Sequence, residues 1–351
     1  TINEPTAITI STVVTDATCG NANGEITATV GGGAGGYTYS WTSGGTALTE
    51  TNLSAGTYVI QVTDINGCTA TASATINNID GPVVTITGVN DVSCNGLSDG
   101  SISTNTIGGT LPYTYSWSPN GGTTPTGTAL QANTYTVLVT DANGCTSTAS
   151  AVVNEPTAVV ANIVGSTDVS CFGGNDGTAT VTASGGAGNY TYLWSGGGGN
   201  AATGINLSAG IFTVTVTDQN GCSTTSTVSI NQPDALSALA SGTDVSCNAG
   251  TDGTASVAIS GGVMPYSYFW MPNGGTTASI TNLTAGTYTV TATDANGCTI
   301  TADITINEPT AITISTVVTD ATCGNANGEI TATVGGGAGG YTYSWTSGGT
   351  A

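Results

Sequence analysis

Nine cysteines recur along this chain in two interleaved series, each of nearly equal spacing. Cys19, Cys94, Cys171, Cys247 and Cys323 are separated by 75, 77, 76 and 76 residues, while Cys68, Cys145, Cys222 and Cys298 follow the first four by 49, 51, 51 and 51. Such a period exceeds that of a solenoid repeat and suits a small domain. It predicts four complete units and the start of a fifth: residues 1–5 close a preceding repeat, 6–81 form repeat 1, 82–156 repeat 2, 157–233 repeat 3, 234–309 repeat 4 and 310–351 part of repeat 5. Residues 1–47 recur unchanged as 305–351, which points to a longer parent array built by block duplication.

Charge narrows the function. The 351 residues include 21 Asp or Glu and no Lys, Arg or His, for a formal charge of −21. Nucleic-acid binding needs cations to displace counterions, an anionic membrane surface needs a basic patch, and triads or His-ligated zinc need imidazole. No nucleic acid and no direct membrane insertion are therefore expected, and no apolar run reaches the ~20 residues of a membrane span. Hydrophobic residues make up 38 % of the chain, enough for packed cores and unlike a disordered segment. Cysteine-rich chains of this kind fit an oxidising, extracellular compartment. A protease that cuts after Lys or Arg is expected to leave the chain whole even when it is reduced and unfolded. Gel electrophoresis after a trypsin digest checks this.

Within a unit the pattern has period 2. Tyr113, Tyr115 and Trp117 share one face and Thr114 and Ser116 the other; Tyr288, Val290 and Ala292 alternate with Thr289, Thr291 and Thr293 in the same way. Asp294-Ala-Asn296-Gly297 supplies hairpin-turn chemistry. For repeat 2 the pattern predicts strands near 83–90, 101–107, 112–118, 126–130, 134–140 and 145–153, and hence an all-β chain: a tandem array of Ig-like antiparallel β-sandwiches of about 76 residues, with six or seven strands each. Units end in Asn154-Glu155-Pro156, Asn231-Gln232-Pro233 or Asn307-Glu308-Pro309, where proline makes the link short and semi-rigid. Strand parity raises a conflict. If each strand reverses direction, six strands let the two cysteines of one unit meet but put both termini at one end. Seven would separate them.

One ordered string recurs in every unit. In repeat 2 it reads Asp91-Val-Ser-Cys94, Ser98-Asp99-Gly100, Gly108-Gly109, Pro112-Tyr113-Thr-Tyr115-Ser-Trp117, Leu130, Tyr135-Thr-Val137-Leu-Val139-Thr-Asp141 and Asn143-Gly144-Cys145. This resembles the SprB repeat of giant surface proteins of Bacteroidota. The resemblance implies an exported, outer-membrane-associated cell-surface adhesin or filament, in some members moved along the cell during gliding. The implied partners are further copies of the repeat in the parent chain, other filament chains, surface polysaccharides or abiotic surfaces. Repeat 1 departs from the string with Asn23-Gly24 for Asp-Gly, and repeat 3 with Ile211-Phe212 for Thr-Tyr.

The cysteines read most simply as one disulfide per unit, Cys19–Cys68, Cys94–Cys145, Cys171–Cys222 and Cys247–Cys298, with the partner of Cys323 beyond residue 351. Pairing across units would fold two outward-running strands and a Pro link back on themselves. Metal-thiolate sites would need a Cys-x-x-Cys pair or His. Under within-unit pairing, carboxylates come together: Asp91, Asp99, Asp141 and Asn143 in repeat 2, Asp168, Asp176 and Asp218 in repeat 3, and Asp244, Asp252 and Asp294 in repeat 4. Oxygen-only clusters on turns suit calcium, the one candidate cofactor. The plainer reading is that these side chains bond their own backbone in turns. Trp41, Trp117, Trp194, Trp270 and Trp345 are core candidates, with a sugar-stacking platform as the alternative for the aromatic triplets. The acids repeat from unit to unit, whereas a catalytic site needs one special constellation, so no enzyme is expected. The function read from the sequence is a structural or adhesive segment of a long extracellular surface protein. Its alternatives are a self-assembling filament or passive spacer, and a carbohydrate-binding module.

Overall fold

The computed structural model describes residues 4–347, and its regular structure is β-strand apart from one 3-10 turn at Ser195–Gly197. Among these residues no helix is long and apolar enough to cross a membrane. Contacts divide the described residues into two compact units, one of residues 4–160, 184–189 and 217–222, the other of 161–183, 190–216 and 223–347.

Repeat 2 shows the pattern. Its strands are β1 (Pro82–Asn90), β2 (Gly100–Gly108), β3 (Thr114–Ser118), β4 (Thr126–Leu130), β5 (Asn133–Thr140) and β6 (Thr146–Val153). Each boundary falls within two residues of the sequence expectation. They form two antiparallel sheets, β4-β2-β1 and β3-β5-β6, which face each other as a sandwich. The alternation explains the packing: along β5, Tyr135, Val137 and Val139 are buried while Thr134 and Leu138 are exposed. The core gathers Val84, Val92, Ile102, Trp117, Leu130 and Val153 around them. Each fully buried large apolar side chain contributes about 1.5–3 kcal/mol.

Six strands make only five traverses. β1 ends at Asn90 opposite Ser101, where β2 begins its return, and Gly100 pairs with Leu130 at the end of β4. β3 starts at the other end, with Thr114 opposite Thr140. β4 begins midway, with Thr126 opposite Ser103, and continues in the direction of β3. Thus β3 and β4 are two halves of one traverse that changes sheet in the middle. The crossing wraps the tryptophan: Trp117 Nε1 donates to the Thr124 carbonyl at 3.0 Å, and a Cβ added at Gly127 would lie 3.1 Å from the indole. With five traverses the chain enters a repeat at one end and leaves at the other, which removes the parity conflict. It also puts the two cysteines of a repeat at opposite ends.

The same six strands recur in repeat 1 (Thr9–Thr15, Gly24–Gly31, Thr38–Trp41, Thr49–Leu53, Gly56–Thr63, Thr69–Ile76) and in repeats 3 and 4. Repeat 1 adds a short parallel pair, Ala17–Thr18 with Asn78–Ile79, where its link departs from Asn-Glu-Pro. In repeat 5, Thr313–Thr319 pairs with Glu329–Gly335 and both are largely exposed.

The bulge near the end of β4 needs a left-handed residue. Asn52, Asn206 and Asn282 fill it in repeats 1, 3 and 4, with φ of 59°, 56° and 60°, but repeat 2 has Ala129 at 56°. A Cβ without a polar side chain is disfavoured there by about 1 kcal/mol. Ala129→Asn is accordingly expected to stabilise repeat 2 by up to about 1 kcal/mol, read as a rise in its melting temperature.

Candidate functional site: the junction between consecutive repeats

The first cysteine of a repeat lies in a turn just beyond β1, at the end where the chain leaves. In repeat 2 this turn is built by two carboxylates. Asp99 accepts from the Ser93 amide at 3.0 Å and from its hydroxyl, and these bonds, the hydroxyl's first, hold the carboxyl below the ordinary aspartate range. Asp91 accepts from the Asn154 amide at 2.8 Å, tying the end of β6 to the turn. The link then adds its own contacts: Glu155 Oε2 accepts from Gly96 N at 2.6 Å, and Asn95 Nδ2 donates to the Pro156 carbonyl at 3.1 Å.

These roles carry over to the other repeats. Asp168 and Asp244 accept from Asn231 and Asn307, each at 2.8 Å, and Asp176 and Asp252 from Ser170 and Ser246, each at 3.0 Å. Gln232 and Glu308 stand where Glu155 does, accepting from Gly173 at 2.8 Å and Ala249 at 2.6 Å. In repeat 1, Asn23 takes the place of Asp99 and accepts from Thr18 N at 2.8 Å, so an amide serves the same turn.

At the entry end the second cysteine follows a buried aspartate. Asp141 is 5 % exposed; its Oδ2 accepts from Thr110 N and its Oδ1 from Asn143 N and Cys145 N, all at 2.9 Å. The Thr110 amide is the largest cause holding this carboxyl below the ordinary range, and burial opposes it. Gly109, with φ of 65°, lets the backbone approach: a Cβ there would lie 2.7 Å from Asp141 Oδ2. Asp64, Asp218 and Asp294 are buried in the same three-donor arrangement in repeats 1, 3 and 4.

The two ends meet through the disulfides. The bonds are Cys19–Cys145, Cys94–Cys222 and Cys171–Cys298, with Cα–Cα distances of 5.3, 5.6 and 5.8 Å. Each joins the first cysteine of one repeat to the second cysteine of the next. This corrects the expected within-unit pairs Cys19–Cys68, Cys94–Cys145, Cys171–Cys222 and Cys247–Cys298. A repeat's own cysteines are a domain length apart, whereas the exit turn of one repeat adjoins the entry turn of its successor. No strand has to fold back for these pairs to form. Cys68, Cys247 and Cys323 are exposed thiols. Hydrogen bonds accompany two of the bonds: Asn220 Nδ2 donates to the Ser93 carbonyl at 3.2 Å beside Cys94–Cys222, and Asn296 Nδ2 to the Ser170 carbonyl at 2.8 Å beside Cys171–Cys298.

The within-repeat grouping of carboxylates behind the calcium expectation does not form. Asp91 and Asp99 lie at one end of repeat 2 and Asp141 and Asn143 at the other. Asn143 Nδ2 donates to Thr110 Oγ1 at 2.9 Å, and the repeating carboxylates accept from backbone amides. Among the described residues no group of three or more Cys, Asp or Glu is placed to hold a metal ion. Trp41, Trp117, Trp194 and Trp270 are buried, at 6 % exposure or less, and Trp345 is half-buried. Tyr113 and Tyr115 pack against the core beside Trp117. Sequence reasoning missed Glu155, Gln232 and Glu308. Their recurrence before the boundary proline was the available signal.

Fold and junction define a class of protein: a tandem array of Ig-like sandwiches whose neighbours are joined covalently. A family model for the SprB repeat matches five times, at residues 11–46, 86–122, 164–199, 240–275 and 315–350, just over half of the chain. The chain belongs to the SprB repeat family. No curated protein matches it. Among solved structures, three N-terminal domains of the outer capsid protein Hoc of bacteriophage RB49 are similar at 16 % identity and a TM-score of 0.32, covering 64 % of this chain and 99 % of that one. The eight N-terminal Ig domains of Down syndrome cell adhesion molecule align at 13 % identity and 0.27, covering 86 % of this chain; it spans 55 % of that molecule. Domains 1–6 of the surface layer protein SbsC align at 13 % and 0.22, over 93 % of this chain and 63 % of that one.

Proposed function

We propose that this chain is a segment of a long extracellular surface protein in which the repeats act as a stalk, holding an adhesive or filament-forming part away from the cell. The observation that carries this reading is the cross-repeat disulfide at each of the three junctions from repeat 1 to repeat 4. A bond placed there fixes one repeat to the next. Membership of the SprB repeat family, with the surface location and gliding role that the resemblance implies, supports the same reading. The inward packing of the aromatic triplets favours a stalk over a carbohydrate-binding module, since a sugar platform needs exposed rings. The −21 charge without counter-charge adds mutual repulsion between copies and favours separate molecules over self-assembly. Electron microscopy of the purified, oxidised chain tests this: separate particles that lengthen in proportion to the number of repeats are expected. Ordered polymers of the chain alone would replace the stalk with a self-assembling filament, and retention on a glycan array would restore the binding module.

A further inference from the structure

The three disulfides overlap in sequence: Cys94 lies inside the loop closed by Cys19–Cys145, and Cys171 inside that closed by Cys94–Cys222. A covalent route from one end of the chain to the other therefore need not follow the backbone. One route runs to Cys19, crosses to Cys145, follows residues 146–170 to Cys171, crosses to Cys298 and continues. It uses the first strand of repeat 1 (Thr9–Thr15), the last of repeat 2 (Thr146–Val153), the first of repeat 3 (Val160–Thr167) and the last of repeat 4 (Thr299–Ile306). A second route runs through Cys68, the last strand of repeat 1, the first of repeat 2, Cys94–Cys222, the last of repeat 3 and the first of repeat 4. Each of these four repeats thus gives its first strand to one route and its last strand to the other.

We propose that these crossed disulfides make the array a load-bearing cable with two covalent routes, in which the residues between the two cysteines of repeats 2 and 3 lie off both load paths and those of repeats 1 and 4 off the shorter one. The proposal rests on the stalk reading for its purpose but on connectivity alone for its mechanics. Tension along either route passes through segments of 25 or 26 residues, such as Cys145 to Cys171 and Cys222 to Cys247. These segments are a last strand, the link and a first strand, already extended in the fold. The four middle strands, which hold the tryptophan and most of the core, can open without lengthening the array. Breaking one bond of one route leaves the other intact.

Single-molecule pulling of the whole chain from its two ends tests this, with Cys68, Cys247 and Cys323 replaced by serine to prevent exchange. On the shortest covalent route, the loops of 126 and 127 residues closed by Cys19–Cys145 and Cys171–Cys298 are locked out of extension. Reduction is expected to add roughly 250 residues, or about 880 Å, to the fully stretched length. Adding Cys94→Ser and Cys222→Ser to that background should leave the oxidised stretched length unchanged, because that bond belongs to the other route. Adding Cys19→Ser and Cys145→Ser should lengthen it by roughly 100 residues, about 350 Å. An oxidised chain that stretches as far as the reduced one overturns the proposal, as does lengthening by Cys94→Ser with Cys222→Ser. Mass spectrometry of each variant under non-reducing conditions must find its remaining bonds in place. A variant whose remaining cysteines have paired otherwise also overturns it. Failure of the stalk reading would instead appear as polymers or glycan binding, with these lengths unaffected.

Discussion

Serine at Cys19 and Cys145 is expected to remove about 5 kcal/mol of stability against unfolding of repeats 1 and 2 together, the chain-entropy value for a loop of this length. The bond closes 126 residues that include most of both repeats, so its loss acts on the pair and not on one domain. Differential scanning calorimetry should show a joint transition of repeats 1 and 2 shifting down and separating into parts. Cys68→Ser supplies the contrast. It is a thiol in the fold, and its replacement should leave the melting profile unchanged. If Cys19 were bonded to Cys68, Cys68→Ser would cost about 4 kcal/mol in the same model and would destabilise repeat 1 alone. Peptide mapping without reduction, using a protease that cuts at acidic residues, gives an independent reading: the peptide with Cys19 should be joined to that with Cys145.

Asp141→Asn should have the next largest effect. The carboxylate serves three backbone donors, and an amide offers one carbonyl oxygen, so its NH2 would face the Thr110 amide with no acceptor between them. Leaving a buried amide unpaired in a domain of this size is expected to lower the melting temperature of repeat 2 by roughly 10 °C. Asp141→Ala, which removes every acceptor, should lower it further. The pH dependence has a definite sign. The folded carboxyl is held below its ordinary value of 3.8, so its contribution is complete above that value and is lost as the pH falls through the lower folded pKa. Asp64, Asp218 and Asp294 are shifted in the same direction by the same kind of amide bonds. The chain should therefore melt at steadily lower temperature as the pH is taken from about 4 to about 2. Asp141→Asn should flatten that slope for repeat 2, and thermal melts across the range check it.

Much of the fold was legible because it follows from side-chain order along the chain. Tyr135, Val137 and Val139 alternate with Thr134, Thr136 and Leu138, and period-2 burial of that kind is local physics. The turn role of the carboxylates was legible for the same reason: Asp141 bonds the amides two and four residues ahead, and Asp99 the amide six behind. The pairing of cysteines was not. It turned on whether β3 and β4 make two traverses or one, and nothing local to Trp117 or Thr126 says in which direction the chain resumes after a crossing of seven residues.

The sequence by itself determined the period, the strands, the aromatic core and the family, since each is written in the spacing and type of neighbouring residues. The tertiary structure alone decided that a repeat's cysteines face its neighbours. That choice depends on the direction of strands in two different sheets, a relation between residues far apart in the chain. A single change of sheet in the middle of one traverse sends Cys19 to Cys145 instead of Cys68, and so turns expected within-repeat staples into links between repeats.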